Sequence, residues 1–252
     1  MDVVAIIPAR YESSRFPGKP LANICGKPMI WWVYQNCLAV PAFSDVIVAT
    51  DDMRIYNCCQ GLNMHVMMTS DQHRTGTDRI CEVASRVPAD LYVNVQGDEP
   101  LLESETIAKV IPPFYEFKDL QVCNLMTKIQ DPCDLINNTV PKVITNKDND
   151  AVFLTRAAAP YPKGALDVDY YKQVCVYGFT PSALNFFSEY AQTYGKAKIE
   201  AIEDIEILRF IESGIRVHFV DVETASVAVD TPKDLKKVCT LMKNREAAAF
   251  CG

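Results

Sequence analysis

Three basic side chains fall within ten residues, directly after the first apolar run of the sequence. Arg10, Arg15 and Lys19 follow residues 3–7, and small donors such as Ser13 stand among them. Backbone N–H groups in such a loop can form a concavity for an anion, and the basic side chains neutralise its charge. The loop matches neither the GxxxxGKS/T nor the GxGxxG phosphate-binding pattern. We interpret it as a polyphosphate-binding loop, with an exposed basic surface loop as the alternative.

A carboxylate stands at the end of another apolar run. Residues 90–95 read as a buried strand, and Gln96, Gly97 and Asp98 follow it. Glycine lets the backbone approach closely, and a carboxylate beside it suits a hard divalent cation that also binds phosphate oxygens. The alternative is an ordinary turn at the end of a strand. A second carboxylate, Asp230, precedes the C-terminal helical segment and by itself reads as a helix cap.

Residues 74–79 are rich in hydroxyl, amide and guanidinium donors, with Thr77 and Arg79 among them. Because a helix starts here, the segment could bind an anion or the edge of a nucleobase, and a plain capped helix is the alternative. Asp51 and Asp52 likewise follow a predicted strand, and they read more naturally as a helix cap than as ligands.

The composition narrows the class of protein. A chain of 252 residues with 49% hydrophobic side chains can build an α/β core, and its net charge of −7 argues against a nucleic-acid partner. An anionic substrate must then be met by local cations. No apolar run approaches the roughly 18 residues of a membrane span, and Asp2 stands where a signal peptide would be basic. We therefore expect a soluble, cytoplasmic protein. Its ten cysteines form no CxxC pair, which is typical of reduced structural thiols.

The elements that must position these groups alternate as in an α/β fold. Apolar runs predict strands at 3–7 (interrupted by Pro8), 45–50, 65–69, 90–95, 139–145, 151–155, 171–179, 216–221 and 226–230. Helices are predicted between these runs. One begins at Pro28, another ends at Arg86, a third covers 103–117, a fourth ends at Gly214 and a fifth begins at Thr231. We predict one three-layer, Rossmann-like α/β domain over 1–252, with a mostly parallel sheet and a small antiparallel insertion at 130–200.

Three motifs together carry a resemblance to a known family. They are IPARYESSRFPGKPL at 7–21, QGDEP at 96–100 and VDTP at 229–232. The combination resembles the 3-deoxy-manno-octulosonate cytidylyltransferases, or CMP-Kdo synthetases, of the nucleotide-sugar pyrophosphorylase superfamily, over nearly the whole chain. The RFPGKP form argues against the related sialic-acid cytidylyltransferases. The resemblance implies the nucleotide-diphospho-sugar transferase fold and a homodimer, for which the insertion at 130–200 would supply the acceptor site and the dimer surface.

The resemblance also implies roles for the residues near the nucleotide. Asp98 and Asp230 would be the ligands of Mg²⁺, the implied cofactor, and Gln96 would help to read cytosine. The HxTGTDR pattern at 73–79 would lie against the nucleotide. Lys19 and the two aspartates would be the catalytic residues, and the basic loop would hold the triphosphate through Arg10, Ser13, Arg15 and Lys19.

On the acceptor side, polar groups are embedded in predicted apolar strands, as an acidic sugar would require. They are Lys142, Arg156 and Tyr177. Family members usually have a histidine where this chain has Gln173, and many have a serine-rich segment where it has alanines at 157–159. That histidine is expected to touch the acceptor sugar, so Gln173 leaves the identity of the acid open. Glutamine keeps a donor and an acceptor but has no titratable ring.

The helical segment that ends at Gly214 carries Glu206 and Arg209 three residues apart. The family has a similar E-x-L-R pattern lining the sugar pocket, so both residues are candidates for the acid substrate. The alternative is an exposed i,i+3 ion pair that stabilises the helix only slightly.

The residues by themselves predict a cytoplasmic α/β enzyme that binds phosphate. The resemblance implies more: a Mg²⁺-dependent cytidylyltransferase that couples CTP to the 2-keto-3-deoxy sugar acid Kdo and releases pyrophosphate, in lipopolysaccharide biosynthesis. One alternative is the same reaction with 8-amino-Kdo or with another carboxylate or phosphonate. Others are a nucleotidyltransferase for a different base and a non-catalytic nucleotide-binding paralogue. The presence of both aspartates with the basic loop disfavours the paralogue.

Overall fold

Strands and helices alternate along the computed structural model, which describes residues 1–13, 15–164, 168–223 and 227–249. The strands are β1 (Val3–Ala9), β2 (Asn23–Ile24), β3 (Lys27–Pro28), β4 (Asp45–Thr50), β5 (Val66–Met68), β6 (Leu91–Val95), β7 (Val122–Lys128), β8 (Lys142–Thr145), β9 (Ala151–Thr155), β10 (Tyr171–Phe179) and β11 (Val217–Asp221). The helices are α1 (Met29–Leu38), α2 (Met53–Gly61), α3 (Gly76–Ala84), α4 (Ser104–Ala108), α5 (Pro113–Glu116), α6 (Pro132–Ile136), α7 (Pro181–Tyr194), α8 (Lys198–Glu203), α9 (Leu208–Glu212) and α10 (Pro232–Ala249).

The chain folds as two units, one of Met1–Ile107 with Ser226–Gly252 and one of Ala108–Ala225. In the first unit, β6, β1, β4 and β5 lie side by side and are parallel. The apolar run 3–7 of β1 is at most 2% exposed, as a strand covered on both faces requires. The crossovers between these strands carry α1, α2 and α3. The carboxyl ends of the strands therefore meet at one edge, where ligands bind in open α/β sheets.

Pro8 does not interrupt β1, contrary to the prediction. The strand pairs with β4 through Ala9, whereas its pairing with β6 ends at Ile6. On the β4 side, the carbonyl oxygen of Val3 accepts a hydrogen bond from the N–H of Ser44. Since alternate residues of a parallel strand bond to opposite neighbours, Pro8 faces away from β4. Its missing N–H therefore removes no hydrogen bond from the β1–β4 ladder.

The second unit contains the antiparallel strands. In it β7 lies between β11, which is parallel to it, and β10, which is antiparallel. Strand β10 also pairs antiparallel with β8, and β8 pairs antiparallel with β9. The α/β class, with a mostly parallel sheet and a small antiparallel part, is confirmed. The single domain over 1–252, with its insertion at 130–200, stays a prediction.

Three predicted elements differ from those observed. Segment 103–117 forms α4 and α5, because Pro112 and Pro113 have no N–H to continue one helix. The helix predicted to end at Gly214 is divided into α8 and α9 by Asp204, which has a φ of 51°. Of the strand predicted at 226–230, residue 226 lies outside the described residues and 227–230 form no strand.

Two further features concern membranes and thiols. Within the described ranges, no helix combines the length and the apolar character needed to cross a membrane. The described cysteines, which do not include Cys251, form no disulfide bond. Several are buried in the core, and burial raises the pKa of Cys59 to about 12.

Candidate active site

A polar cleft of about 180 Å³ opens in the first unit, where β1 and β6 end. The basic loop that follows β1 forms one side, and residues 96–98 after β6 form the other. Seven residues that the sequence singled out line this cleft: Arg10, Ser13, Arg15, Lys19, Gln96, Asp98 and Asp230.

Lys19 lies between the two carboxylates of the cleft. Its Nζ is 2.8 Å from Oδ2 of Asp98 and 3.4 Å from Oδ1 of Asp230. Nη2 of Arg15 is 3.1 Å from the same oxygen of Asp230. The side chain of Lys19 is 16% exposed, which makes these contacts stronger than those of a fully hydrated surface pair. Two carboxylates that are 132 positions apart in the sequence thus converge on one cation.

The backbone holds these carboxylates in place. A Cβ on Gly97 would lie 3.3 Å from the carbonyl oxygen of Pro8, so the segment after β6 passes very close to the end of β1. The carbonyl oxygen of Asp98 accepts a hydrogen bond of 2.8 Å from the N–H of Val229. This bond brings the segment before α10 to the cleft, and Asp230 comes with it.

Asp230 does not cap α10, although its position in the sequence suggested a helix cap. The cap is a reciprocal pair, in which Asp234 accepts from the N–H of Thr231 at 2.8 Å and donates its own N–H to the Thr231 hydroxyl at 3.3 Å. Asp230 is therefore available to Lys19 and Arg15.

The predicted nucleotide contacts Thr77 and Arg79 are not among the residues that line the cleft. Both side chains are buried in α3, whose first turn is capped by Thr75 and Asp78. Nη2 of Arg79 lies 2.8 Å from Asp51, which follows β4, and its guanidinium also bonds the hydroxyl of Thr69. Arg79 thus fastens α3 to the ends of neighbouring strands, and its contact with a nucleotide stays a prediction.

In the second unit, two predicted acid-binding cations are bonded to backbone carbonyls. Nζ of Lys142 donates to the carbonyl oxygens of Asn137 at 2.8 Å and Arg156 at 2.7 Å, and burial lowers the pKa of Lys142. The guanidinium of Arg156 donates to the carbonyl oxygens of Glu203, Asp204, Asn138 and Thr139. These bonds tie the break between α8 and α9 to the sheet, and a role toward a sugar acid stays a prediction for both side chains.

Gln173 is hydrogen-bonded to the buried side chain of Asn124, which supports a bulge in β10. Its Nε2 donates to Oδ1 of Asn124 at 2.8 Å. Nδ2 of Asn124 donates to the carbonyl oxygens of Val174 at 2.9 Å and Val176 at 2.7 Å, where the β7–β10 register shifts. After the bulge, the ring of Tyr177 stacks on Phe179 with centroids 6.0 Å apart. The sequence carried one signal for Asn124, which is a polar residue inside an apolar run.

Arg209 does not form the exposed pair that its spacing from Glu206 suggested. It is 1% exposed, and its Nε and Nη2 lie 2.7 and 2.6 Å from the carboxylate of Glu200, which is fully buried. Nη1 donates to the carbonyl oxygen of Phe187, and the guanidinium lies over the Phe187 ring. The pair joins α8 to α9. A contact of Arg209 or Glu206 with the sugar acid stays a prediction.

The chain is similar to nucleotidyltransferases along nearly its whole length. The cytidylyltransferase family model matches residues 4–219. The 3-deoxy-manno-octulosonate cytidylyltransferase of Geobacter metallireducens is 40% identical over 251 residues, covering 94% of this chain and 96% of the relative. The one from Parabacteroides distasonis is 36% identical over 257 residues, covering 97% and 100%.

Two solved structures are similar in fold. A CMP:2-keto-3-deoxy-manno-octonic acid synthetase complexed with CTP has a TM-score of 0.90 and 36% identity, covering 97% of this chain and 100% of that one. A 4-diphosphocytidyl-2C-methyl-D-erythritol synthase from Anaerococcus prevotii has a TM-score of 0.65 and 15% identity, covering 96% and 98%, and it shows the fold alone.

Proposed function

The chain belongs to the cytidylyltransferase family, and within it to the 3-deoxy-manno-octulosonate cytidylyltransferases, and from this we propose that it transfers CMP from CTP to Kdo and releases pyrophosphate. The observation that carries the proposal is the cleft in which Lys19 forms ion pairs with Asp98 and Asp230. Two arginines, Arg10 and Arg15, line the same cleft. A triphosphate needs this density of local cations in a chain whose net charge is −7.

The two carboxylates fit the Mg²⁺ that the family uses. They already converge on a cation, since Lys19 Nζ lies within 3.4 Å of both, and their oxygens are the hard donors that Mg²⁺ prefers. No group of three or more carboxylate, imidazole or thiol ligands occurs in the part of the chain that the structure describes. Asp98 and Asp230 would therefore hold Mg²⁺ together with phosphate oxygens and water. When bound, the ion supplies Lewis-acid polarisation of the α-phosphate.

The side chains of the cleft act by binding and by electrostatics. Arg10, Arg15 and Lys19 bind the triphosphate, and they offset the charge that develops on the pyrophosphate as it leaves. Gln96 contributes to recognition of the base. The anomeric hydroxyl of the sugar acid attacks the α-phosphorus in line, which is a reaction governed mainly by positioning.

Kdo is the first choice of acceptor, and a modified acid is the second. The second candidate, 8-amino-Kdo or another carboxylate or phosphonate, rests on Gln173 and the alanines at 157–159. Gln173 bonds Asn124 in the strand bulge, so its side chain has a role inside the protein that does not depend on the acid. This supports Kdo over the alternatives.

The remaining parts of the proposal concern the setting of the reaction. We place it in the cytoplasm, in the supply of activated Kdo for lipopolysaccharide, and carried out by a homodimer in which the segment 130–200 provides the acceptor site and the subunit contact. The family supports each of these. Light scattering on the purified protein tests the dimer.

The decisive experiment is pyrophosphate release from CTP and Mg²⁺ with a panel of acids: Kdo, 8-amino-Kdo, a sialic acid and a simple phosphonate. We expect turnover with Kdo well above the others, and CTP preferred over UTP and ATP. Turnover with a different acid alone would replace the acceptor and leave the nucleotide half of the proposal standing. No pyrophosphate release with any acid would contradict the proposed function.

A further inference from the structure

The basic loop closes on itself through Tyr11 and Gly18. The N–H of Gly18 donates to the carbonyl oxygen of Tyr11 at 2.8 Å. Gly18 has a φ of 69°, and a Cβ at this position would lie 3.0–3.1 Å from the Tyr11 ring. Both its backbone conformation and the ring beside it therefore favour glycine. Lys19 is the next residue, so the position of Tyr11 sets the start of the turn that carries the catalytic ammonium.

Arg54, from the first turn of α2, lies over the ring of Tyr11. Its Cζ is 3.2 Å from the centre of the Tyr11 ring. The guanidinium is bound by Asp52, whose Oδ1 and Oδ2 lie 2.9 and 2.6 Å from Nε and Nη2. Asp52 also caps α2 by accepting from the N–H of Arg54, and its own N–H donates to Thr50 at the end of β4. A continuous set of contacts thus runs from the sheet to the loop.

Neither Tyr11, Asp52 nor Arg54 lines the cleft. The side chain of Arg54 is 56% exposed, and exposed ion pairs and cation–π contacts add little to the free energy of unfolding. These contacts act mainly on geometry: the guanidinium and the ring restrain each other's positions at short range.

We infer that Asp52, Arg54 and Tyr11 form a loop brace, a set of positioning residues that holds Arg15 and Lys19 in place for the triphosphate. The inference rests on the proposed function, since it takes the triphosphate as the ligand of the loop. The brace acts before CTP binds, so it lowers the cost of ordering the loop on binding. The three residues belong to the first unit, whereas the candidate residues for the sugar acid belong to the second.

The test measures CTP affinity and kinetics in four variants, Tyr11→Ala, Tyr11→Phe, Arg54→Ala and Arg54→Lys. We expect Tyr11→Ala and Arg54→Ala to weaken CTP binding and lower kcat/KM for CTP by about 10- to 100-fold, the size of effect that small misplacements cause. The KM for Kdo and the midpoint of thermal unfolding should stay at their wild-type values. Tyr11→Phe should restore most of the affinity, because the ring is kept. Arg54→Lys should not, because lysine cannot form the fork or the flat stack.

Lys147→Ala, an exposed lysine of the second unit, serves as the control and should change none of these quantities. The Tyr11→Ala, Arg54→Ala double variant should lose no more affinity than either single variant, since both remove the same brace. Wild-type affinity for CTP in Arg54→Ala, additive losses in the double variant, or a parallel rise in the KM for Kdo would overturn the inference. CTP binding is measured by calorimetry without the acid, so a protein that binds CTP but transfers nothing to Kdo contradicts the proposed function and leaves the brace testable.

Discussion

At the scale of single residues, the cleft is organised by Lys19. One ammonium group contacts two carboxylates that come from segments after β6 and before α10, and Arg15 supports one of them. Each of these charges has a partner of opposite sign within 3.4 Å. Removing any one of them therefore changes the electrostatic environment of the others as well as its own contribution to the substrate.

Removing the charge of Asp98 is expected to abolish most of the activity. Asp98→Asn should lower kcat by about 100-fold or more, the effect of losing one preorganised electrostatic group, while the fold is kept. Steady-state pyrophosphate release measures the rate, and circular dichroism with thermal unfolding checks the fold. Asp71→Asn, an exposed acid that does not line the cleft, is the control. Near-normal turnover by Asp98→Asn would show that this carboxylate holds no essential metal.

Truncating Lys19 should affect the two substrates unequally. Lys19→Ala removes a cation from the proposed triphosphate site, so we expect the KM for CTP to rise much more than the KM for Kdo. Initial rates over a grid of both substrate concentrations separate the two constants. Lys163→Ala provides a matched loss of a surface charge in the other unit. Equal increases in both KM values would argue against the assignment of this loop to phosphate.

At the scale of elements, several basic side chains bind groups at the ends of helices and strands. Arg156 and Lys142 bind carbonyl groups near the break between α8 and α9 and near the end of α6, and Arg79 fastens α3 to the end of β4. Backbone groups at such ends have no partner inside their own element, so a long basic side chain satisfies several of them at once.

The buried pair between α8 and α9 gives an expectation about stability. Arg209→Met leaves the fully buried Glu200 without its cationic partner, which should lower the free energy of unfolding by about 3–5 kcal/mol. Urea unfolding measures this, and Lys196→Met, which removes an exposed pair with Asp204, is the control. If Arg209 instead serves the acid substrate, the variant will raise the KM for Kdo and leave the unfolding free energy nearly unchanged.

The cap of α10 should make part of the stability depend on pH. Burial alone would raise the pKa of Asp234, but hydrogen bonds from Thr231 and from the N–H of Asp230 outweigh it and hold that pKa below its ordinary value. An acid with a lowered pKa stabilises the fold above its unfolded pKa, about 3.9, and loses that effect as the pH falls through its folded pKa.

We therefore expect Asp234→Asn to lower the free energy of unfolding by about 1 kcal/mol at pH 7, and the difference from wild type to shrink below about pH 4. Urea titrations at a series of pH values measure both quantities. Asp148→Asn, whose partner Lys147 is exposed, should show no such trend. A difference between wild type and Asp234→Asn that stays constant from pH 7 to pH 3 would rule out a charge-dependent cap.

At the scale of the whole molecule, the grouping of Lys19 and Asp98 in one cleft was predictable, and the surroundings of the acceptor candidates were not. Lys19 and Asp98 each follow a buried strand, and parallel strands bring their carboxyl ends to one edge, so sequence position implied proximity. Lys142 and Arg209 are cations in apolar segments. This pattern does not tell whether such a cation binds a substrate or another group of the protein. Their partners are carbonyls and a glutamate of other elements, and no periodicity of the sequence reveals such pairings.

The same limit explains the misplaced elements. The sequence contains the two prolines that end α4 and begin α5, but the apolar pattern across them favoured one helix. Asp52 was expected only as a cap, because its contact with Arg54 and through it with Tyr11 depends on how α2 lies against the loop. Caps and charged loops could be predicted from neighbouring residues, whereas contacts between segments distant in the sequence required the structure.

The position of Lys19 also bears on how the protein is made. Asp98 and Asp230 carry two negative charges, and Lys19 and Arg15 carry two positive ones, so these four groups sum to zero. A nascent chain can therefore assemble this cleft with its own counter-ions, before any nucleotide or inorganic ion arrives. We therefore expect the protein to fold without bound magnesium, and only its turnover would depend on the ion.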